Sequence, residues 1–223
     1  MKTLKFLKLP LLLSVFFILT SAADAGKETE RITKSTEVLT AFTNMKESIP
    51  HELLQEYQGL VVIPKMINAG FGIGGKRGKG VAMVKLADGS WSDPVFITLT
   101  GGSIGFQIGV QSVDLVLVFK SKGVLTKVKN GDFTIGGDVS ATAGPVGRSS
   151  TASTDHELDA EIYSYSRSKG LFAGISINGS NLAIDKTSIA NFYGAKATSQ
   201  EIFAASKNQS EAVKTLKATL AKM

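Results

Sequence analysis

The 223-residue chain contains no cysteine, so no disulfide staples it and no thiolate serves as nucleophile or metal ligand. Histidine is almost as scarce. His51 and His156 stand far apart, and neither has a second histidine or a cysteine at metal-ligand spacing, which argues against a zinc site. No G-x-S-x-G nucleophile elbow occurs. The acidic residues are scattered rather than paired as glycoside hydrolysis requires. Basic clustering of the kind that binds nucleic acid is also missing. These absences predict a protein without catalytic residues, metal or cofactor, and without a nucleic-acid partner. A hydrolase built on His156, beside Thr154, Asp155 and Glu157, stays open by counting alone, although a polar surface loop explains the same residues.

The chain opens on Lys2, Lys5 and Lys8, followed by an apolar run from Leu9 to Leu19 and the small-residue exit Ser21-Ala22-Ala23-Asp24-Ala25. A basic start, a short apolar centre and an A-x-A exit make the three-part pattern of a secretory signal. The run is shorter than the roughly 20 residues that span a bilayer. Residues 1–25 are therefore expected to be a cleavable signal peptide and residues 26–223 a single folded domain. Cleavage removes three lysines and one aspartate, lowering the formal charge from +6 to +4. An exported chain without disulfides fits a bacterial periplasm or cell envelope, peripheral to a membrane.

Apolar residues recur at helical spacing from Glu28 to Ile49 (Ile32, Leu39, Phe42, Met45), and Pro50 precedes a further helical turn over His51–Glu56. From Gly59 the period changes to two. Strand patterns cover residues 59–64, 70–74, 81–86, 95–99, 104–110 and 113–119, with Asp88-Gly89 as a turn that tolerates positive φ. Further strand signals lie at 133–141, 161–166, 171–177 and 182–184, a polar loop is expected over 144–159, and helix returns from Ser199. Many short strands with glycine turns, flanked by helices, predict an α+β fold. Its centre is a curved antiparallel sheet, or a small barrel or sandwich.

The 23 glycines call for a reason, because glycine weakens strands. In Gly70-Phe71-Gly72-Ile73-Gly74 and Gly105-Phe106-Gln107-Ile108-Gly109 one face carries large groups and the other almost nothing. Two accounts fit: close backbone packing with sharp bending, or a shallow groove for an acyl chain. Gly70-x-Gly72-x-x-Gly75 matches the dinucleotide fingerprint only formally, since a strand follows where a helix must receive the pyrophosphate. Lys76-Arg77-Gly78-Lys79 reads as a cationic hairpin tip. It is either a solvated turn or a contact for phosphate headgroups, where each cation contributes about 1 kcal/mol. The N-terminal amphipathic helix either packs on its own domain or dips into a membrane interface.

The order of motifs resembles one family. Ile63-Pro64, the run from Gly70 to Val81, Trp91-Ser92-x-Pro94, Gly101 to Gly109 and Asp114 to Phe119 are followed by Ala143 to Arg148, Tyr163 to Gly174 and Phe192-Tyr193-Gly194. Together they are similar to the SYLF domain, also called the Ysc84 actin-binding domain, over about residues 50–194. The resemblance implies lipid binding. Eukaryotic relatives bind phosphoinositides, some fungal ones bind and bundle actin, and bacterial ones are typically exported. It assigns no catalytic residue. The expectation is thus an exported, non-enzymatic protein that associates with anionic phospholipid or holds an acyl chain, using Lys76, Arg77 and Lys79 at headgroups. Actin is not expected in that compartment. The alternative is an interaction or scaffold module for another envelope protein.

Overall fold

The computed structural model describes residues 8–45, 49–126, 128, 133–144, 160–172 and 175–223. The expected loop beyond Gly144, and with it His156, lies outside the described residues. Six helices and seven strands follow in the order α1 Lys8–Thr43, α2 His51–Glu56, β1 Gly59–Val84, β2 Val95–Phe119, α3 Lys122–Thr126, β3 Phe133–Ile135, β4 Ala141–Ala143, β5 Ile162–Ser168, β6 Leu171–Phe172, β7 Ser180–Ile184, α4 Lys186–Tyr193, α5 Ser199–Phe203 and α6 Glu211–Leu220. The α+β class with terminal helices and a curved, mostly antiparallel sheet is as the sequence predicts. Helix α1 starts earlier than the periodicity suggests, inside the segment read as a signal.

The expected separate strands merge. β1 and β2 form one long antiparallel ribbon from Gly59↔Phe119 to Ala82↔Val95, with irregularities between Ile63 and Met66 and between Phe71 and Gly72. Its closing turn is the predicted one: Gly89 has φ +81°, and Asp88 Oδ1 accepts from Ser90 N at 3.0 Å. The outer edge of β2 is shared. β7 pairs with its first half, Ile97 to Gly101, and β5 with its last part, Asp114 to Phe119. β3 extends β7, while β5 pairs antiparallel with β6 and parallel with β4.

Glycine lets the ribbon fold on itself. A Cβ on Gly80 would sit 2.0 Å from Val62 O, and one on Gly78 would sit 2.4 Å from Ile63 Cγ2. The second half of β1 therefore lies directly against the first at two glycines outside the runs weighed from sequence; within those runs Gly70 is crowded by Gly74 Cα, 2.8 Å from a Cβ there. No such neighbour lies within 4 Å of Gly102 or Gly109, where the strand is open.

The stretch of α1 from Ile32 to Phe42 packs rather than floats. Ile32, Ser35, Leu39 and Phe42, spaced three, four and three apart, are all completely buried. Each large apolar side chain among them contributes roughly 1.5–3 kcal/mol through burial. The helix covers β1, α4 and α6, and from α6 Val213 and Leu216 are completely buried too. Among the described residues no helix is long and apolar enough to cross a membrane.

Candidate functional site

Between the stretch of β2 paired with β7 and the stretch paired with β5, residues 102–113 have β1 on one edge and neither strand on the other. This bend of the ribbon forms one end of the sheet. Aliphatic side chains are exposed there: Ile73 at 81%, Val110 at 76% and Ile67 at 43%. Leu171, 73% exposed, joins them because the β5–β6 hairpin closes alongside, where Ser168 Oγ donates to Ser112 O at 3.1 Å. These four are the large apolar side chains left most exposed among the described residues.

Two lysines flank them in an unusual backbone state. Lys65 (φ +49°) and Lys169 (φ +51°) are the only non-glycine residues with positive φ among the described residues. That region costs an ordinary L-residue about 1–2 kcal/mol. Lys65 occupies the irregularity opposite Asp114, whose Oδ1 accepts from Lys65 N at 2.9 Å. The other carboxylate oxygen of Asp114 binds Arg167, with Nε at 3.0 Å and Nη2 at 2.8 Å. Asp114 is thereby neutralised, and it fixes the bulge that places Lys65 at the rim. Lys169 and Gly170 (φ +80°) form the two-residue turn between β5 and β6, the geometry of a type I′ hairpin. Asn or Asp would suit the first position better. Both lysines are exposed.

The expected cationic tip is not a turn, which corrects that reading. Residues 76–79 run mid-strand, paired with residues 101–98 of β2. Alternation then separates the three cations. Lys76 points inward, 6% exposed, and donates to Ser176 O at 2.6 Å; burial pushes its pKa down. Arg77 is exposed on the opposite face. Lys79, on the same face as Arg77, reaches Asp185 Oδ2 at 3.0 Å.

Asp185 is a junction. Its carboxylate caps α4 through Ser188 N at 3.1 Å and also binds Arg31 of α1 at 3.2 Å. Burial acts to raise its pKa, but hydrogen bonds from Lys79 and Ser188 outweigh it and hold the group below the ordinary carboxylate value. Arg31 in turn lies 5.2 Å over the Phe96 ring, which packs edge-on against Phe192. The Phe-Tyr-Gly block thus serves the core, with Tyr193 donating to Pro94 O at 2.8 Å.

Lys65, Lys169, Val110 and Leu171 were not singled out by the sequence. The available signals were Pro64-Lys65, which breaks the two-residue alternation, and Lys169-Gly170 between two short strand patterns. His51 is exposed beside the Met223 carbonyl and Gln55. No group of three metal-binding side chains occurs among the described residues.

The family described as Las17-binding protein actin regulator, Ysc84, matches residues 100–223, more than half of the chain. The chain belongs to the Ysc84 family. Relatives include LAS seventeen-binding protein 3 of Saccharomyces cerevisiae, 36% identical over 157 residues covering 69% of this chain and 34% of that protein. Protein YSC84 of the same yeast is 37% identical over 157 residues, 69% of this chain and 33% of its own length. SH3 domain-containing YSC84-like protein 1 of Xenopus laevis is 34% identical over 168 residues, 72% and 50% respectively. This Ysc84-family chain therefore spans between a third and a half of these relatives.

Proposed function

We propose that this Ysc84-family domain is an exported, non-enzymatic module that docks on a membrane containing anionic phospholipid, with the bent end of the β1–β2 ribbon as its contact face. The observation that carries the reading is the coincidence of four exposed aliphatic side chains with two exposed lysines held in costly backbone conformations. Aliphatic groups at such an end gain by leaving water, while lysines at their rim gain about 1 kcal/mol each near an anionic surface. Of the residues expected from sequence, Arg77 is exposed, which supports a headgroup contact from that strand face. Lys79 is committed to Asp185, and Lys76 faces inward.

Export is part of the proposal and rests on the basic, apolar and small-residue pattern of Met1 to Ala25. N-terminal sequencing of the protein recovered from its native host tests it. Vesicle co-sedimentation tests the membrane reading: the protein pelleting with phosphatidylglycerol vesicles and not with neutral ones supports it, and indifference to lipid charge contradicts it. The names of the yeast relatives, LAS seventeen-binding proteins, favour a second reading in which the same face meets a protein. Association that needs a protein and survives high salt would select that reading, because headgroup attraction is screened.

A further inference from the structure

Among the described residues Lys76 is the only buried lysine, and no carboxylate lies within ion-pair distance of it. Arg31, Arg167 and Lys217 each meet an aspartate. Among the described residues Lys76 has only the Ser176 carbonyl. An ammonium removed from water without a counter-charge is costly, and the downward shift of its pKa has burial as its cause.

A second group nearby is also incomplete. Lys76, Gly101 and Ser180 form one cross-strand row, and Ser180 Oγ lies over Gly101, 2.7 Å from where a Cβ would stand. Ser180 Oγ is completely buried and has no hydrogen-bond partner among the described residues. Buried hydroxyls are nearly always paired.

Next to this row lies a cavity of about 330 Å³, lined by Thr142, Ser164, Ser166, Phe172, Ser176 and Asn178 among others. Ser176 belongs to both features: it lines the cavity and its carbonyl holds Lys76. Among the described residues no acidic one lines the cavity. A polar cavity of this size, rich in hydroxyl and amide groups and backed by an unpaired cation, has the chemistry of an anion site.

We infer that this cavity binds a phosphate-class anion, with Lys76, held behind the cavity wall by the Ser176 carbonyl, supplying the counter-charge and Ser176 and Asn178 supplying donors. Phe172 follows Leu171 of the membrane face, so the cavity lies beside that face. Only the source of the anion rests on the membrane reading: a lipid headgroup if it holds, a free phosphate ester if it does not.

Amide NMR on the full folded domain tests the site with two probes, inorganic phosphate and dihexanoyl phosphatidylglycerol below its micelle concentration. Saturable shifts at Thr142, Ser164, Ser166 and Ser176 are expected, weakened at least tenfold by Lys76→Met. That substitution keeps the aliphatic stem, and a thermal melt no lower than that of the wild type checks its fold. Ala143→Leu, which fills the cavity from the exposed strand β4, is the second variant and is expected to abolish the shifts. Tighter binding of the short-chain lipid assigns the site to a headgroup, and equal or tighter binding of phosphate assigns it to a free anion. No saturable shift with either probe at tens of millimolar overturns the site. So does unchanged binding by both variants. If the shifts are absent while vesicles still pellet the protein, the anion site fails and the membrane face stands.

Discussion

Asp93 Oδ1 lies 2.6 Å from Lys217 Nζ, joining the segment between β1 and β2 to helix α6 across 124 residues of sequence. The other oxygen of Asp93 accepts from Lys207 N at 2.8 Å and Asn208 N at 2.9 Å, and its own amide donates to Ala205 O at 2.7 Å. Asp93 is 4% exposed. Its removal strands two amides at once and leaves Lys217 with Ser206 Oγ, at 2.7 Å, in place of a counter-charge. Asp93→Ala is expected to cost about 3 kcal/mol in urea unfolding, with loss of protection in α6 by hydrogen exchange. A cost below about 1 kcal/mol, the value of an ordinary surface pair, would show that the clasp is ornamental.

The crossing of β1 over itself makes an opposite pair of predictions for two glycines. Gly80→Ala puts a methyl against the Val62 carbonyl, a backbone group that cannot swing away. The expected destabilisation is at or beyond the upper end of the roughly 1–3 kcal/mol typical of overpacking. Gly102→Ala meets nothing within 4 Å and is expected to be neutral or to stabilise by about 0.4–1 kcal/mol through the unfolded chain. Thermal melts of the two variants side by side decide it.

Asp185 predicts a specific acid sensitivity. Its folded pKa lies below the ordinary value of 3.8, so the unfolded chain takes up the proton first as pH falls. Its contribution is therefore complete above that value and is lost as pH drops through the lower folded pKa. Asp185→Asn should flatten the stability curve in the window below pH 3.8 and leave its shape near neutrality unchanged. Equal acid slopes for variant and wild type would remove Asp185 from the account.

Lys169 tests whether backbone cost is being kept for function. Lys169→Asn suits the left-handed position and is expected to stabilise the domain by about 0.5–1 kcal/mol. The same change removes a rim charge, so affinity for anionic vesicles is expected to fall about fivefold, the equivalent of roughly 1 kcal/mol. A variant that is both more stable and equally membrane-active would separate the strain from the function.

How much of this was legible in the sequence follows from what each signal reports. Periodicity found the buried stripe of α1 and most strand positions, because three-to-four and two-residue spacing report burial directly. It could not show that residues 59–64, 70–74 and 81–86 are one strand. The intervening glycines look like turns locally, and only their contacts with Val62, Ile63 and Met66 reveal a crossing. Lys76-Arg77-Gly78-Lys79 was misread for the same reason. Helix α4 was missed because eight residues carry little periodicity, although Asp185 as cap and Gly194 as stop were available marks. The exposed face was illegible, since aliphatic residues in strands normally point inward. Only the stretch of β2 that has β1 on one edge and neither β5 nor β7 on the other shows that Val110 and Ile73 do not.

The proposed membrane face can be tested directly because the chain has no native cysteine, so a single introduced thiol gives a single label. An environment-sensitive fluorophore would be attached at Val110→Cys, at Leu171→Cys and, on the side of α1 that meets α6, at Glu37→Cys. On phosphatidylglycerol vesicles the emission of the first two is predicted to shift to the blue and become accessible to lipid-borne quenchers, while the label at 37 stays aqueous. Bound protein whose labels at 110 and 171 remain as water-exposed as the one at 37 would contradict the account.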